Sequence, residues 1–276
     1  LARHLARQTS RSIAGLDLRE LFAVQDPLAR AAAAGTRAIV LDGYDAASLA
    51  AGGRILLEAP APLFVIGSSG VEHAIAAARG GAPPPPPAPG GASPVLVLSG
   101  SASPQTEMQI AAAERAGFAA FRLDPLDKVG EEALRGPLLA ALARGRGAIV
   151  FTARGPDDPA LVRTRAALGG PEATGPAIGA ALGRIWAMAA AQARIPRVVV
   201  CGGDTASHAC LAVGARWFDG ISPLAPGSPL IRMAARAAGV DGTEVVLKGG
   251  QVGGPHLFEG VAAGCAVLAT RKEEAP

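Results

Sequence analysis

The sequence predicts an α/β fold, organised as two three-layer α/β/α domains with mainly parallel sheets, the first of them truncated. Three observations carry this. Short apolar runs alternate with Ala-rich helical segments, the pattern of parallel strands joined by crossover helices. Three of those runs end abruptly in small, glycine-bearing loops placed just ahead of a helix: Val95–Ser99 into Gly100-Ser101, Val198–Cys201 into Gly202-Gly203-Asp204-Thr205, and Glu244–Lys248 into Gly249-Gly250-Gln251-Val252-Gly253-Gly254. A row of prolines, Pro83–Pro87 followed by Pro89, interrupts the alternation and separates its two halves.

Residues 1–80 are expected to be the remainder of a first domain. Ala2–Gln8 reads as the tail of a helix. Asp26–Ala34 is a helix with Asp26 as cap and Pro27 in the first helical position. Ala38–Asp42 is a short strand, Asp45–Ala51 a short helix, Leu63–Ile66 a strand leading into Gly67-Ser68-Ser69-Gly70, and Val71–Arg79 a helix. The chain begins with Leu1, not Met, and enters helix-like sequence at once, so it is read as a piece of a longer protein. Residues 81–93 form a Pro-rich linker, extended and poor in backbone donors.

Residues 94–276 are expected to be the second domain. After the strand Val95–Ser99, Ser103 caps a helix that starts at Pro104 and closes at Gly117. Ala119–Leu123 is a strand, Lys128–Arg144 a helix interrupted near Gly136-Pro137, and Ala148–Thr152 a strand followed by a loop at Arg154–Asp158. Thr174–Arg194 is a long helix with Ile178, Leu182, Ile185, Trp186 and Ala189 on one face, a core stripe. Beyond the helix after Thr205, Ser222–Leu230 reads as a Pro/Gly loop and Pro229–Ala238 as a helix.

Composition narrows the function. Half the residues are hydrophobic and 4% are aromatic, so the core is built from Ala, Val, Leu and Ile. The net charge of +3 is scattered, with no basic run interleaved with aromatics, which argues against a nucleic-acid partner. No apolar run reaches the ~20 residues of a membrane span. Cys201, Cys210 and Cys265 lack metal spacing and suit a reducing, cytoplasmic setting. No metal-ligand set is expected from the four histidines either. A homo-oligomer is left open by the sequence.

The three loops carry the chemistry. Paired glycines let a backbone approach a ligand closely, and the free N–H groups of a helix start favour an anion. Gly202, Gly203, Asp204 and Thr205 place backbone donors, a carboxylate and a hydroxyl within four residues. A plain strand-to-helix turn, with Asp204 or Thr205 as the helix cap, accounts for them equally well. The segment from Lys248 to Gly254 matches neither the P-loop nor the dinucleotide fingerprint, because its lysine precedes the glycines and no Gly-Lys-Ser/Thr follows. Lys248 is either a cation beside phosphates or a solvated strand end.

Taken in order, Gly67–Gly70, Val97–Pro104 with Thr106 and Gln109, Val200–Thr205, Pro226–Leu230, and Leu247–Gly254 with Phe258 resemble the four-carbon acid sugar kinase family, formerly a family of unknown function. The resemblance implies an ATP-dependent kinase of two domains. The N-terminal domain would bind a sugar acid of the threonate, erythronate or keto-tetronate type, and the C-terminal domain ATP. By matching positions, ATP would be held by Ser99 or Ser101, by Gly202, Gly203, Asp204 and Thr205, and by Gly249, Gly250 and Gly253. Lys248 is assigned to the phosphates. Asp204, the candidate catalytic residue, is assigned to Mg²⁺ or to polarising the attacking hydroxyl. This sequence departs from the family in three ways: the opening Asp-Asp…Thr-Gly motif is absent, His208 replaces a small residue, and the Pro-rich linker is enlarged. A non-catalytic nucleotide-binding module is the alternative reading. A nicotinamide-dependent dehydrogenase would fit the alternation but not the glycine pattern.

Overall fold

The structure is a computed structural model that describes residues 1–80, 89–225 and 227–264. The chain divides into two compact units, Leu1–Pro84 and Pro85–Pro276. Most of the expected linker, and with it the proline row, lies outside the described residues.

In the first unit the chain runs α1 (Ala2–Leu5), β1 (Ile13–Leu16), α2 (Leu18–Ala23), α3 (Pro27–Ala33), β2 (Ala38–Leu41), α4 (Ala46–Glu58) and α5 (Ser69–Arg79). β1 and β2 pair in parallel, Ile13 opposite Ala38 through Leu16 opposite Leu41. Asp26 caps α3 as expected, accepting from the Ala29 N–H at 2.9 Å. Leu16, Leu21 and Ala51 form the small core, with Ile39, Leu41 and Ile55 packed against it. The expected strand at Leu63–Ile66 is not formed. No described strand lies beside it to accept a ladder, prolines stand at 60 and 62, and Phe64 and Ile66 are 91% and 99% exposed.

The second unit is built on a seven-stranded sheet. In chain order it comprises β3 (Val95–Ser99), α6 (Pro104–Arg115), β4 (Ala119–Arg122), α7 (Lys128–Ala133), α8 (Arg135–Ala143), β5 (Ala148–Phe151), α9 (Pro159–Ala167), α10 (Pro171–Ala190), β6 (Arg197–Cys201), α11 (Gly203–Ala212), β7 (Ala215–Ala225), β8 (Ser228–Ala235), β9 (Glu244–Lys248) and α12 (Leu257–Ala263). The strand order is β4-β5-β3-β6-β9-β8-β7. The first five are parallel, while β7 and β8 add an antiparallel hairpin on the β9 side.

Strand alternation sorts the core into two faces. Leu96, Leu98, Val150, Val198, Val200 and Val245 pack with Leu138, Ile178, Leu182, Ile185, Trp186 and Ala209 of α8, α10 and α11. Val95, Val97, Ile149, Val199 and Val246 pack with Ile110, Ala113, Leu257, Phe258 and Val261 of α6 and α12. β3, β5 and β6 are buried on both sides, which is why they read as uninterrupted apolar runs.

The hairpin corrects the reading of residues 215–238. The expected loop at Ser222–Leu230 and helix at Pro229–Ala238 are β7 and β8, which turn at Gly227 (φ +72°) with Ala225 opposite Ser228. Alanine content favours a helix locally, but Leu230, Ile231 and Arg232 take register against Val246, Val245 and Glu244, and that pairing overrides propensity. The interrupted helix expected at Lys128–Arg144 is two helices, α7 and α8, meeting at Leu134, and a further helix, α9, follows the Arg154–Asp158 loop with Asp158 as its cap.

Candidate nucleotide site

β3, β6 and β9 are neighbours in the sheet, and Ser99, Cys201 and Lys248 lie opposite one another at their C-terminal ends. The three glycine-bearing loops therefore leave the sheet side by side. They do so where the chain changes direction: β3 leads through α6 to the β4 edge, and β6, on the other side of β3, leads through α11 to the opposite edge. Open parallel sheets bind ligands in the crevice at such a point.

Backbone bonds tie the strand ends together. The Gly100 N–H donates to the Cys201 carbonyl at 3.1 Å, and the Gly202 N–H to the Lys248 carbonyl at 3.0 Å. Gly202 takes φ +107°, a conformation that disfavours any side chain, and it occupies the cap position of α11. Among the described residues no side chain caps this helix, so neither Asp204 nor Thr205 is the cap that the plain-turn reading requires. Among the described residues the Gly203, Asp204 and Thr205 N–H groups have no hydrogen-bond acceptor, and they lie at the positive end of the helix dipole. Gly203 and Asp204 are exposed at this end, whereas Thr205 is buried against Gly100.

The Lys248 loop is fastened to the first turns of α6. Gln109 Nε2 shares its two protons among three successive carbonyls, Val252 at 2.9 Å and Gly253 and Gly254 at 3.1 Å, and Gln105 also donates to the Gly253 carbonyl. The Gly250 carbonyl accepts from Ser103 Oγ and from Lys248 Nζ (3.3 Å). Gly250 itself lies close against Ser101 and Ser103, where an added Cβ would meet Ser101 Oγ at 3.1 Å. Gly249 has ordinary room, its nearest neighbour being Val252 at 3.4 Å.

Lys248 is 1% exposed, which rules out the solvated strand end. Its Nζ donates to Thr106 Oγ1 at 2.9 Å. Among the described residues no carboxylate pairs with it. Burial holds its ammonium below the usual lysine range, opposed by the nearby Cys201. Burial pushes the Cys201 thiol up to about 12, against the pull of Lys248. A cation with no carboxylate partner among the described residues, at the same sheet end as the α11 N-terminus, is an arrangement suited to an anion.

The two candidate serines separate. Ser99 is fully buried on the α6 side of the sheet, and its Oγ has no partner among the described residues. Ser101 lies in the loop beyond, bonded to Thr106. Thr106 and Gln109, noted in the sequence only as motif members, prove to join the loops. Their spacing of three residues, one helical turn, is the signal that they share a face. Among the described residues no His/Cys/Asp/Glu group could hold a metal by itself, so Mg²⁺ would need ligands from the nucleotide; Asp204 is the exposed carboxylate beside the loops. No helix among the described residues is long and apolar enough to cross a membrane.

A family model described as a nucleotide-binding C-terminal domain matches residues 96–258. The 3-oxo-isoapionate kinase of Paraburkholderia graminis is 34% identical over 95% of this chain and 60% of its own length. The 3-oxo-tetronate kinase of Methylobacterium radiotolerans is 32% identical over 94% of this chain and 62% of its own. This chain thus spans about three-fifths of the length of these curated relatives. A solved Haemophilus influenzae protein from a domain family of unknown function shares the fold, with a TM-score of 0.63 and 23% identity over 94% of this chain and 62% of that one. The ordered loops, the matched domain and these relatives agree: the chain belongs to the four-carbon acid sugar kinase family, through its nucleotide-binding C-terminal domain.

Proposed function

We propose that this chain is the nucleotide-binding part, with a remainder of the acceptor-binding part, of an ATP-dependent kinase that phosphorylates a hydroxyl of a four-carbon acid sugar. The single observation that supports it most is the buried, carboxylate-free Lys248 at the root of three adjacent strand-end loops. In phosphoryl transfer the protein chiefly positions the reactants and neutralises charge. The N–H groups at Gly203, Asp204 and Thr205 would hold phosphate oxygens, Ser101 would donate its hydroxyl, and the glycines Gly249, Gly250 and Gly253 would let the backbone approach the nucleotide. Lys248 would balance the phosphate charge from below. Asp204 would hold Mg²⁺, which supplies further charge neutralisation, or polarise the attacking hydroxyl. The two relatives, a 3-oxo-isoapionate kinase and a 3-oxo-tetronate kinase, favour a 3-oxo sugar acid as acceptor.

The test is ADP formation by the full-length protein with 3-oxo-tetronate and threonate as acceptors, as wild type and as Asp204→Asn. Acceptor-dependent turnover, lost in a folded Asp204→Asn, is the expected outcome. ATP binding with no transfer to any acid would support a non-catalytic nucleotide-binding module instead. Thermal stabilisation by NAD but not by ATP with Mg²⁺ would sink the kinase reading.

A further inference from the structure

Thr106 stands where four polar groups meet. Its Oγ1 lies 2.9 Å from Lys248 Nζ, 3.0 Å from Ser101 Oγ, 3.1 Å from Ser103 Oγ and 3.1 Å from the Gly250 carbonyl. A hydroxyl has one proton, so the bonds can be assigned by counting. The Lys248 ammonium can only donate, so Thr106 accepts from it. Ser103 Oγ accepts from the Thr106 N–H at 3.1 Å and donates to the Gly250 carbonyl, which already receives Lys248 as well. The proton of Thr106 is left for Ser101 Oγ. Ser101 Oγ then accepts from Thr106 and from the Ser103 N–H at 3.3 Å, and its own proton has no acceptor among the described residues. The line Lys248 → Thr106 → Ser101 ends in a hydroxyl donor in the loop after β3.

We propose that Thr106 is a positioning residue of the nucleotide site, fixing the Lys248 ammonium beside the strand-end loops and orienting the Ser101 hydroxyl as a donor to an anionic oxygen of the ligand. The inference rests on the nucleotide reading above. Thr106 suits the task because it is fully buried and β-branched, which leaves few rotamers. Donation from a cation strengthens the next bond in the line. Among the described residues the one other acceptor of the Lys248 ammonium is the Gly250 carbonyl at 3.3 Å. Cys201 on β6 is the titratable group that faces it, Ser99 on β3 is neutral, and α6 contributes Ser103 and Thr106, both uncharged.

The experiment compares Thr106→Val, which removes the hydroxyl at constant shape, with Thr106→Ser, which keeps it. Two quantities are measured: the Kd for ATP with Mg²⁺, and the rate at which acetic anhydride acetylates Lys248 in the nucleotide-free protein, read by mass spectrometry. Thr106→Val should weaken ATP binding and speed acetylation by roughly tenfold each, the loss of one hydrogen bond to a charged group, and Thr106→Ser should stay within about threefold of wild type. A folded Thr106→Val with wild-type acetylation overturns the proposal. So does a Thr106→Ser that behaves like Thr106→Val, because the methyl and not the hydroxyl would then matter. Failure of the wild type to bind ATP would remove the nucleotide reading, while the acetylation rates would still decide whether Thr106 holds Lys248. If Thr106→Val does not fold, Ser101→Ala serves: it should weaken ATP binding without changing Lys248 acetylation, and unchanged ATP binding would overturn the proposal.

Discussion

Gly100 and Thr205 are in such close contact that the loop after β3 and the first turn of α11 fit together only without a side chain at position 100. A Cβ there would overlap Thr205 Oγ1 and come within 2.6 Å of Ile178 Cγ2 and 2.9 Å of Thr205 Cγ2. Three elements converge on the point, so none can yield cheaply.

Gly100→Ala should therefore destabilise the protein by about 1–3 kcal/mol, the usual cost of overpacking, and weaken ATP binding in the folded fraction. Thr205→Ala, which removes both Oγ1 and Cγ2, should recover part of the lost stability when combined with it. Urea unfolding and ATP titration of the two single variants and the double variant measure this. A Gly100→Ala protein with wild-type stability would mean that the contact is looser than described.

A second close approach sets the position of α11. On α10, Gly175, Gly179 and Gly183 recur every four residues and face that helix. A Cβ on Gly179 would overlap His208 Cβ and come within 3.0 Å of the Thr205 carbonyl, and one on Gly183 would come within 2.5 Å of Ala212 Cβ and 3.0 Å of the Ala209 carbonyl. Gly→Ala inside a helix ordinarily gains about 1 kcal/mol from propensity. Here the obstacle is backbone, so Gly179→Ala should lose stability on balance and displace the α11 N-terminus, raising the Kd for ATP. Gly136→Ala on α8, where a Cβ would meet nothing within 4 Å, is the control and should be neutral or stabilising. Equal effects at the two positions in thermal unfolding would defeat the argument.

These contacts mark the limit of what the sequence discloses. The parallel strands were legible because burial on both faces leaves a continuous apolar run, and their loops because glycine clusters ahead of a helix need a reason. The spacing of Gly175, Gly179 and Gly183 was equally visible, but its meaning depends on a partner helix that periodicity does not name. β7 and β8 were illegible for a different cause. Their alanines and Pro229 resemble helix and loop, and only the open edge of β9 makes them strands. Leu63–Ile66 is the converse: strand-like residues with no described strand beside them. At the site, backbone groups were anticipated and the side chains of α6 were not, since Thr106 and Gln109 act through loops more than 140 residues away in sequence.

Arg197 separates stability from binding. It is 2% exposed at the start of β6, at the end of the sheet away from the loops, and pairs with Glu244 while donating to the Val261 and Gly90 carbonyls. Arg197→Met removes one partner of a largely buried pair and leaves two carbonyls short of a donor. It should cost about 2–4 kcal/mol. The Kd for ATP, measured where the variant is still folded, should remain within about twofold of wild type, as expected for sites that share no partners. A large change in Kd with little loss of stability would show that the two ends of the sheet are coupled.

Lys248 should show the opposite balance. Its pKa is lowered from 10.5 by burial, so above the folded value the unfolded chain holds more protons than the folded one. The stability of the nucleotide-free protein must then rise with pH through the window from the folded pKa up to 10.5, where neutral Lys248 no longer carries the cost of a buried charge. At lower pH that cost is fully present. Lys248→Met, similar in length and uncharged, should be more stable than wild type at pH 7, should lose the rise attributable to this group, and should bind ATP at least tenfold more weakly for want of one charge-assisted contact. Urea unfolding at intervals from pH 7 to 10, paired with ATP titration at pH 7, tests both halves. A Lys248→Met protein that is less stable at pH 7 would mean that the ammonium is well solvated by its neighbours. One that binds ATP normally would remove Lys248 from the site.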